Sequence, residues 1–269
     1  MKVLRTIVVT ISVLLVVAAV IGSMFPQLDY ARQDRDHINA SPMRQHWLGT
    51  DELGRDRFAR LLQGTRVSIL LAPAAALISM LLAVLIGAMP GFCGGLSARG
   101  ARLLIDLVLS IPWLFLLLMV RALLPLNTTP TMSATITFLM LGILGWAAPA
   151  RILLARAQCL QRAEFILLAR ANGISGFRLL ARHVAPNLRP VLMAQFLVSV
   201  PVFILSEANL SILGLGVAEP LPSLGSLLRE LQTVLSIRSD LWRFVPLAVL
   251  VLLVSTLQMA VAKREELFQ

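Results

Sequence analysis

Long apolar runs alternate with short polar stretches along this chain, and that rhythm predicts helices crossing a lipid bilayer. A spanning helix needs about 20 predominantly apolar residues. Runs of that order fall at residues 3–25 and at about 67–90, 103–125, 132–154, 189–215 and 243–262. The expected architecture is an all-α polytopic transmembrane bundle of six spans, with both termini on one side. The first run follows Lys2 and Arg5 and ends at Met24-Phe25-Pro26 rather than at a small-x-small site. It exceeds the ~7–15-residue core of a signal peptide, so a retained helix is expected. Pro73, Pro112, Pro149 and Pro201 lie inside apolar runs. Such prolines fit where neighbouring helices or a cavity satisfy the freed backbone groups.

Two polar stretches carry helical patterns of their own. Between the fourth and fifth expected spans, residues 162–187 read as two short amphipathic helices. The first runs over good helix formers from Ala163 and ends at Asn172-Gly173, residue types favoured at a helix C-terminus. The second, carrying Phe177, Leu179, Leu180 and Val184, is expected to stop at Pro186. The first has apolar side chains to spare at Phe165, Ile166, Leu167 and Leu168, which calls for a groove in lipid or in a partner protein. Ahead of the second span, Thr50 is a candidate N-cap, with Asp51 and Glu52 suited to a first turn. Leu53, Phe58, Leu61 and Leu62 would then form one apolar face.

Composition agrees with the pattern. The 269 residues are 58% hydrophobic and only 14% charged, whereas soluble domains average about 25% charged. The net charge of +10 does not imply nucleic-acid binding, because no basic patch is interleaved with stacking aromatics and a single Tyr is present. Basic residues of a polytopic protein gather at cytoplasmic helix ends. Lys2 and Arg5 do so, as do Arg151, Arg156, Arg162, Arg170, Arg178, Arg182 and Arg189 against Glu164 alone. Both termini and the Arg-rich loop are therefore expected in the cytoplasm. Cys93 and Cys159 fall on that same side, so no disulfide is expected, and no Cys/His spacing suits a metal.

Catalytic signatures are missing. The chain contains no G-x-x-x-x-G-K-[ST], no H-E-x-x-H, no C-x-x-C and no G-x-S-x-G. No nucleotide cradle, cofactor site or metal site of its own is therefore expected. Asp106 and Glu207 are the carboxylates at membrane depth, with Arg121 near a helix end. A lone charge there costs about 2.5–3.5 kcal/mol on insertion scales. Each carboxylate therefore marks either a translocation path or an interhelical hydrogen bond.

The segment Glu164-Phe-Ile-Leu-Leu-Ala-Arg-Ala-Asn-Gly173, closed by His183 and Pro186-Asn187, resembles the EAA loop of ABC-importer permeases. Ala169 and Gly173 match that motif, whereas Leu167 stands for its usual Glu, Leu168 for its first Ala and Ala185 for the Leu before Pro. Further resemblance covers most of the chain, to the C-type permease of the oligopeptide/dipeptide/nickel branch. It is carried by His46-Trp-Leu-Gly-Thr-Asp-Glu-Leu-Gly-Arg-Asp56 with Gly64-Thr-Arg-Val-Ser68, and by Arg102, Asp106, Ser110 and Pro112. Glu207-Ala-Asn-Leu-Ser-Ile-Leu-Gly-Leu-Gly216 and Pro222-Ser-Leu-Gly225 complete it, with Leu224 for a usual Trp.

The resemblance implies an importer type I permease fold. Residues 1–25 would be the first transmembrane helix and 26–66 an extracytoplasmic loop with an amphipathic helix. Residues 67–269 would form the permease domain, with a coupling loop at 155–188. It implies a bacterial inner-membrane subunit, not itself an enzyme, that passes short peptides, or nickel or another small solute. Implied partners are a homologous second permease, two cytoplasmic P-loop ATPases using ATP and Mg, a solute-binding protein and lipid. Glu164, Phe165, Leu168, Ala169, Arg170, Gly173, His183 and Pro186 would couple to the ATPase. Asp106, Pro112, Glu207 and Asn209 would line the path or its gate. An ion-coupled secondary transporter is the rival from another class, though no inverted repeat is evident.

Overall fold

The computed structural model describes residues 28–124, 128–174, 176–233 and 241–266, with scattered positions between 10 and 22. Most of the expected first span, 1–25, lies outside the described residues; its described positions, among them Val16 to Ala19, are helical. The other regular elements are helical too, whereas 28–56 is irregular apart from isolated bridges at Gln33–Arg55 and Thr50–Asp56. We label the helices α1 (Arg57–Cys93), α2 (Gly95–Leu109), α3 (Trp113–Leu123), α4 (Pro130–Leu144) and α5 (Ala147–Gln161). They continue as α6 (Glu164–Ala171), α7 (Gly176–Leu179), α8 (Ala185–Ile212), α9 (Leu224–Arg229) and α10 (Val245–Glu266).

Four helical stretches are long and apolar enough to cross a membrane: Arg57–Cys93, Pro130–Gln161, Arg182–Ile212 and Leu241–Met259. The expected single span at 103–125 is instead the pair α2–α3, bent by 83°. The described residues thus hold four spans, or five if the bent pair is one, and the count of six is not confirmed. Pro112 is the cause of the bend. It donates no N–H and pushes Ile111 out of the α region. Ser110 closes α2 by donating its hydroxyl to the Leu107 carbonyl (2.7 Å), and Pro112 stands at the N-cap of α3. Pro73 and Pro201 instead lie within unbroken helices, and Pro149 sits in the first turn of α5, where an N–H has no partner to lose.

Small residues bring the helices together. In α1, Ala72, Ala75, Ala76 and Ala83 are buried, whereas Leu70, Leu77 and Leu81 point outward, each more than half exposed. That inversion suits a bilayer, where lipid accepts leucine as readily as a core does and close backbone approach drives packing. A Cβ on Gly87 would lie 2.4 Å from the Ala150 carbonyl oxygen, and one on Gly91 2.7 Å from that of Leu154. α5 therefore rides on a glycine face of α1. Gly142 of α4 meets the Ala75 carbonyl in the same way, at 2.8 Å.

Two apolar clusters result. One joins α1, α4, α8, α9 and α10 around Leu141, Phe203, Ile204 and Leu224. The other, around Phe92, Leu153, Leu154 and Leu160, lies at the end of the bundle that carries α6.

At the opposite end, α1 starts later than expected. Its N-cap is Asp56, whose side chain accepts from the Phe58 and Ala59 N–H groups (2.8 and 2.9 Å). Thr50 does not cap a helix. Its hydroxyl donates to the His37 carbonyl and accepts from the Ala40 N–H (2.9 Å), tying an irregular strap. Asp51 turns inward, accepting from the N–H groups of Leu53 and Arg55. A capping side chain is recruited by whichever backbone donors the chain brings near it, and here a turn competes successfully with a helix.

Candidate functional site

α6 is amphipathic by placement. Ile166 and Ala169 are buried in the lower cluster, while Phe165, Leu167 and Leu168 stand 41%, 52% and 63% exposed. Glu164 occupies the first turn and Arg170 the last, each complementing the helix dipole. Arg170 also places its guanidinium carbon 5.3 Å from the centroid of the Phe92 ring, fastening α6 to the end of α1. The helix ends in a Schellman motif: Gly173 N–H donates to the Arg170 carbonyl (2.9 Å) and Ile174 N–H to that of Ala169 (3.0 Å). Gly173 adopts φ +79°.

Beyond α7 the chain does not stop at Pro186, contrary to the sequence pattern. A π-helical turn, Leu180–Val184, carries His183 directly into α8. Pro186 is the second residue of α8, immediately after that turn. The His183 carbonyl accepts from the Asn187 side chain (2.7 Å). Of the coupling-loop candidates, Glu164, Phe165, Leu168 and Arg170 are exposed on α6 and Ala169 is buried; Gly173 ends that helix, and His183 and Pro186 lie at the entry to α8.

The candidate path residues are dispersed. Asp106 is not a lone charge in a core; it is half-exposed and accepts from Arg151, which cross-links α2 to α5. Pro112 lines an apolar groove of about 330 Å³ at the bend, with Trp113, Gln195 and Phe203. Trp113 Nε1 donates to the Ser206 hydroxyl there (2.9 Å). Asn209 is exposed on α8.

Glu207 is fully buried, and its Oε1 accepts from the hydroxyls of Ser211 (2.6 Å) and Ser223 (2.7 Å). Ser223 is also the N-cap of α9 in a capping box with Ser226. A Cβ on Gly225 would fall 2.6 Å from the Ala208 Cα and 2.8 Å from Glu207 Oε2. One carboxylate therefore fixes the returning segment before α9 against α8.

Sequence reasoning missed the most highly charged feature, which lies at the end remote from α6. Arg60, with no exposed side-chain surface, donates to Glu230 (2.8 Å) and to Glu219 (3.2 and 3.3 Å), and lies 3.6 Å from Asp51. Arg55 joins Asp51 (2.7 Å) to Glu219, and Arg57 reaches Glu230 (3.2 Å). Burial would raise the Glu219 carboxyl, but hydrogen bonds and charge from Arg60 and Arg55 hold it below the ordinary glutamate value. For Glu230 burial prevails over Arg60 and Arg57, and its carboxyl is pushed up. No local pattern marks Arg60, which lies off the face shared by Phe58, Leu61 and Leu62. Its partners lie 159 and 170 positions away, beyond any periodicity.

Arg121 sits beside this cluster, 1% exposed at the end of α3. It donates to the carbonyl of Leu215 (2.9 Å) and, less closely, to that of Gly216 and to the Ser133 hydroxyl. Together these groups surround an open cleft of about 590 Å³ between the strap before α1 and the segment 214–230.

Residues 79–264 match the family described as binding-protein-dependent transport system inner membrane component. The oligopeptide transport system permease protein OppC of Bacillus subtilis is 34% identical over 218 residues, covering 81% of this chain and 69% of that protein. The dipeptide transport system permease protein DppC of the same organism is 33% identical over 224 residues, covering 82% and 68%. The oligopeptide transport system permease protein OppC of Mycobacterium tuberculosis is 34% identical over 229 residues, covering 84% and 77%.

Proposed function

Because the chain belongs to the family of binding-protein-dependent transport system inner membrane components, we propose that it is one permease half of an ATP-driven importer of short peptides. The substrate class follows the names of its relatives, which are oligopeptide and dipeptide permeases. In this reading a homologous permease completes the pore, a solute-binding protein delivers the peptide, and two cytoplasmic ATPases bind and hydrolyse ATP with Mg. The chain carries out no catalysis itself.

The observation that carries the reading is α6. A helix that buries Ile166 and Ala169 yet presents Phe165, Leu167 and Leu168 is built to dock into a cleft of another protein. Its other end is tied to α1 through Arg170 and Phe92 and runs through Gly173 and His183 into α8. Movement of an ATPase against α6 would therefore act on both spans as levers, switching the pore between inward- and outward-facing states. In this reading, which follows the positive-inside pattern, α6 faces the cytoplasm and the Arg60 cluster the outside. The departures Leu167 and Leu168 make this contact more apolar than the usual motif. Nickel as cargo is the weaker reading, since the relatives compared above are named as oligopeptide and dipeptide permeases.

Affinity purification from the native membrane in mild detergent tests the assembly. A second permease and P-loop ATPases should co-purify in stoichiometric amounts. Recovery of the chain alone would overturn it.

A further inference from the structure

The cleft of about 590 Å³ between the strap before α1 and segment 214–230 is absent from the reading above, which concerns the opposite end of the molecule. Its lining holds four arginines, Arg55, Arg57, Arg121 and Arg229, against four carboxylates, Asp51, Glu52, Glu219 and Glu230. Charges of both signs crowd its wall, and the enclosed Arg60 behind it pairs with Asp51, Glu219 and Glu230. Ser211 and Ser226 also line the cleft, beside Leu53, Val217 and Ala218.

This is a built site rather than a chance dent in a charged surface. Asp51, Arg55, Arg121 and Ser211 are each more than nine-tenths buried, and each is held by hydrogen bonds described above. Most of the charge is thus committed to internal pairs. Two groups retain capacity toward the opening. Glu219 keeps 54% of its side chain exposed although it pairs with Arg55 and Arg60. Arg229 is exposed at the end of α9 and makes no ion pair among the described residues, with its guanidinium against Gly214.

We propose that this cleft binds a zwitterion, with Arg229 taking a carboxylate and Glu219 an ammonium group, and that the zwitterion is a peptide with free termini on its way into the pore. The proposal rests on the importer reading above and deepens it. A molecule with separated charges offers one group of each sign to a wall that exposes one of each, Arg229 and Glu219. Arginine presents a planar fork that matches a carboxylate in two hydrogen bonds. A volume of about 590 Å³ lies within the range of small-molecule sites.

The test is uptake of radiolabelled trialanine and its C-terminal amide in cells that express the whole native transporter and lack other peptide importers. Wild type, Arg229→Gln and Arg229→Lys are compared. The loss of one charge-assisted contact predicts that Arg229→Gln lowers the ratio of free-acid to amide uptake about tenfold. Arg229→Lys should retain most of that ratio, because it keeps the positive charge. A ratio unchanged in Arg229→Gln, whether or not total uptake falls, would overturn the site and leave the importer reading standing. Absence of uptake of either peptide by the wild type would instead count against the importer reading itself.

Discussion

Arg60 donates to Glu230 across 2.8 Å, although 170 positions separate the two residues. The contact clamps the start of α1 to the helical turn after α9. Arg60 also serves Glu219 and is wholly enclosed, so one guanidinium bridges two carboxylates that Arg55 and Arg57 pair from the other side. Arg60→Met should therefore lower stability by about 3–5 kcal/mol, because it strands buried negative charge. Glu230→Gln added to Arg60→Met should cost less than the sum of the two single changes. Thermal unfolding of the four forms in detergent measures both statements.

The two glutamates of that clamp should respond to pH in opposite directions. Glu219 is held below its ordinary value of 4.5, so its contribution is present above that value and is lost as pH falls through the lowered folded value. Glu230 is pushed above 4.5, so its contribution is present below that value and is lost as pH rises through the raised one. Glu219→Gln should flatten the acid-side loss in a plot of melting temperature against pH. Glu230→Gln should remove the decline on the higher side. A common shift of the whole curve in both variants would contradict this assignment.

Gly173 has no neighbouring atom within 4 Å of a would-be Cβ, so space does not forbid a side chain there. Its constraint is the left-handed backbone at φ +79°. A β-branched residue pays about 1–2 kcal/mol for that conformation. Gly173→Val should loosen the exit of α6 and lower peptide uptake per ATP hydrolysed, with the chain still in the membrane. Gly173→Asn, which tolerates the left-handed region, should stay near wild type. Equal uptake by both would remove α6 from the coupling path.

Glu207 serves as acceptor for two buried hydroxyls. Glu207→Gln keeps a carbonyl oxygen for Ser211 and Ser223 and should cost no more than about 1 kcal/mol. Glu207→Leu leaves both hydroxyls without that acceptor, at about 1–3 kcal/mol each. Protease susceptibility of the segment between α8 and α9 should rise in Glu207→Leu alone.

Cys93 and Cys159 are exposed free thiols at the α6 end of the bundle. If that end is cytoplasmic, a membrane-impermeant maleimide should label neither in intact cells and both in inverted vesicles. Labelling in intact cells would reverse the orientation.

Where the helices run was legible because each element satisfies its backbone locally. In lipid a segment of about 20 apolar residues must close its own hydrogen bonds, so α1, α8 and α10 announce themselves in composition. The extent of α6 and its exit at Asn172-Gly173 were equally plain, being short-range features, but Ile166, expected among the spare apolar side chains, is buried with Ala169. The start of α1 was misplaced because Thr50 and Asp56 are both capable caps. Only the strap residues His37 and Ala40 decide between them.

What the sequence alone determined was therefore the class of molecule: a helical membrane protein with an Arg-rich amphipathic ledge and no catalytic motif. Tertiary structure decided what its charges do. It paired Asp106 with Arg151, turned Glu207 into a pin for the segment before α9, and assembled Arg55, Arg57 and Arg60 with Glu219 and Glu230 around a cleft. The physical reason is range. A span is written in the period of one helix, whereas an ion pair between residues 159 to 173 positions apart exists only once the helices that carry them have packed.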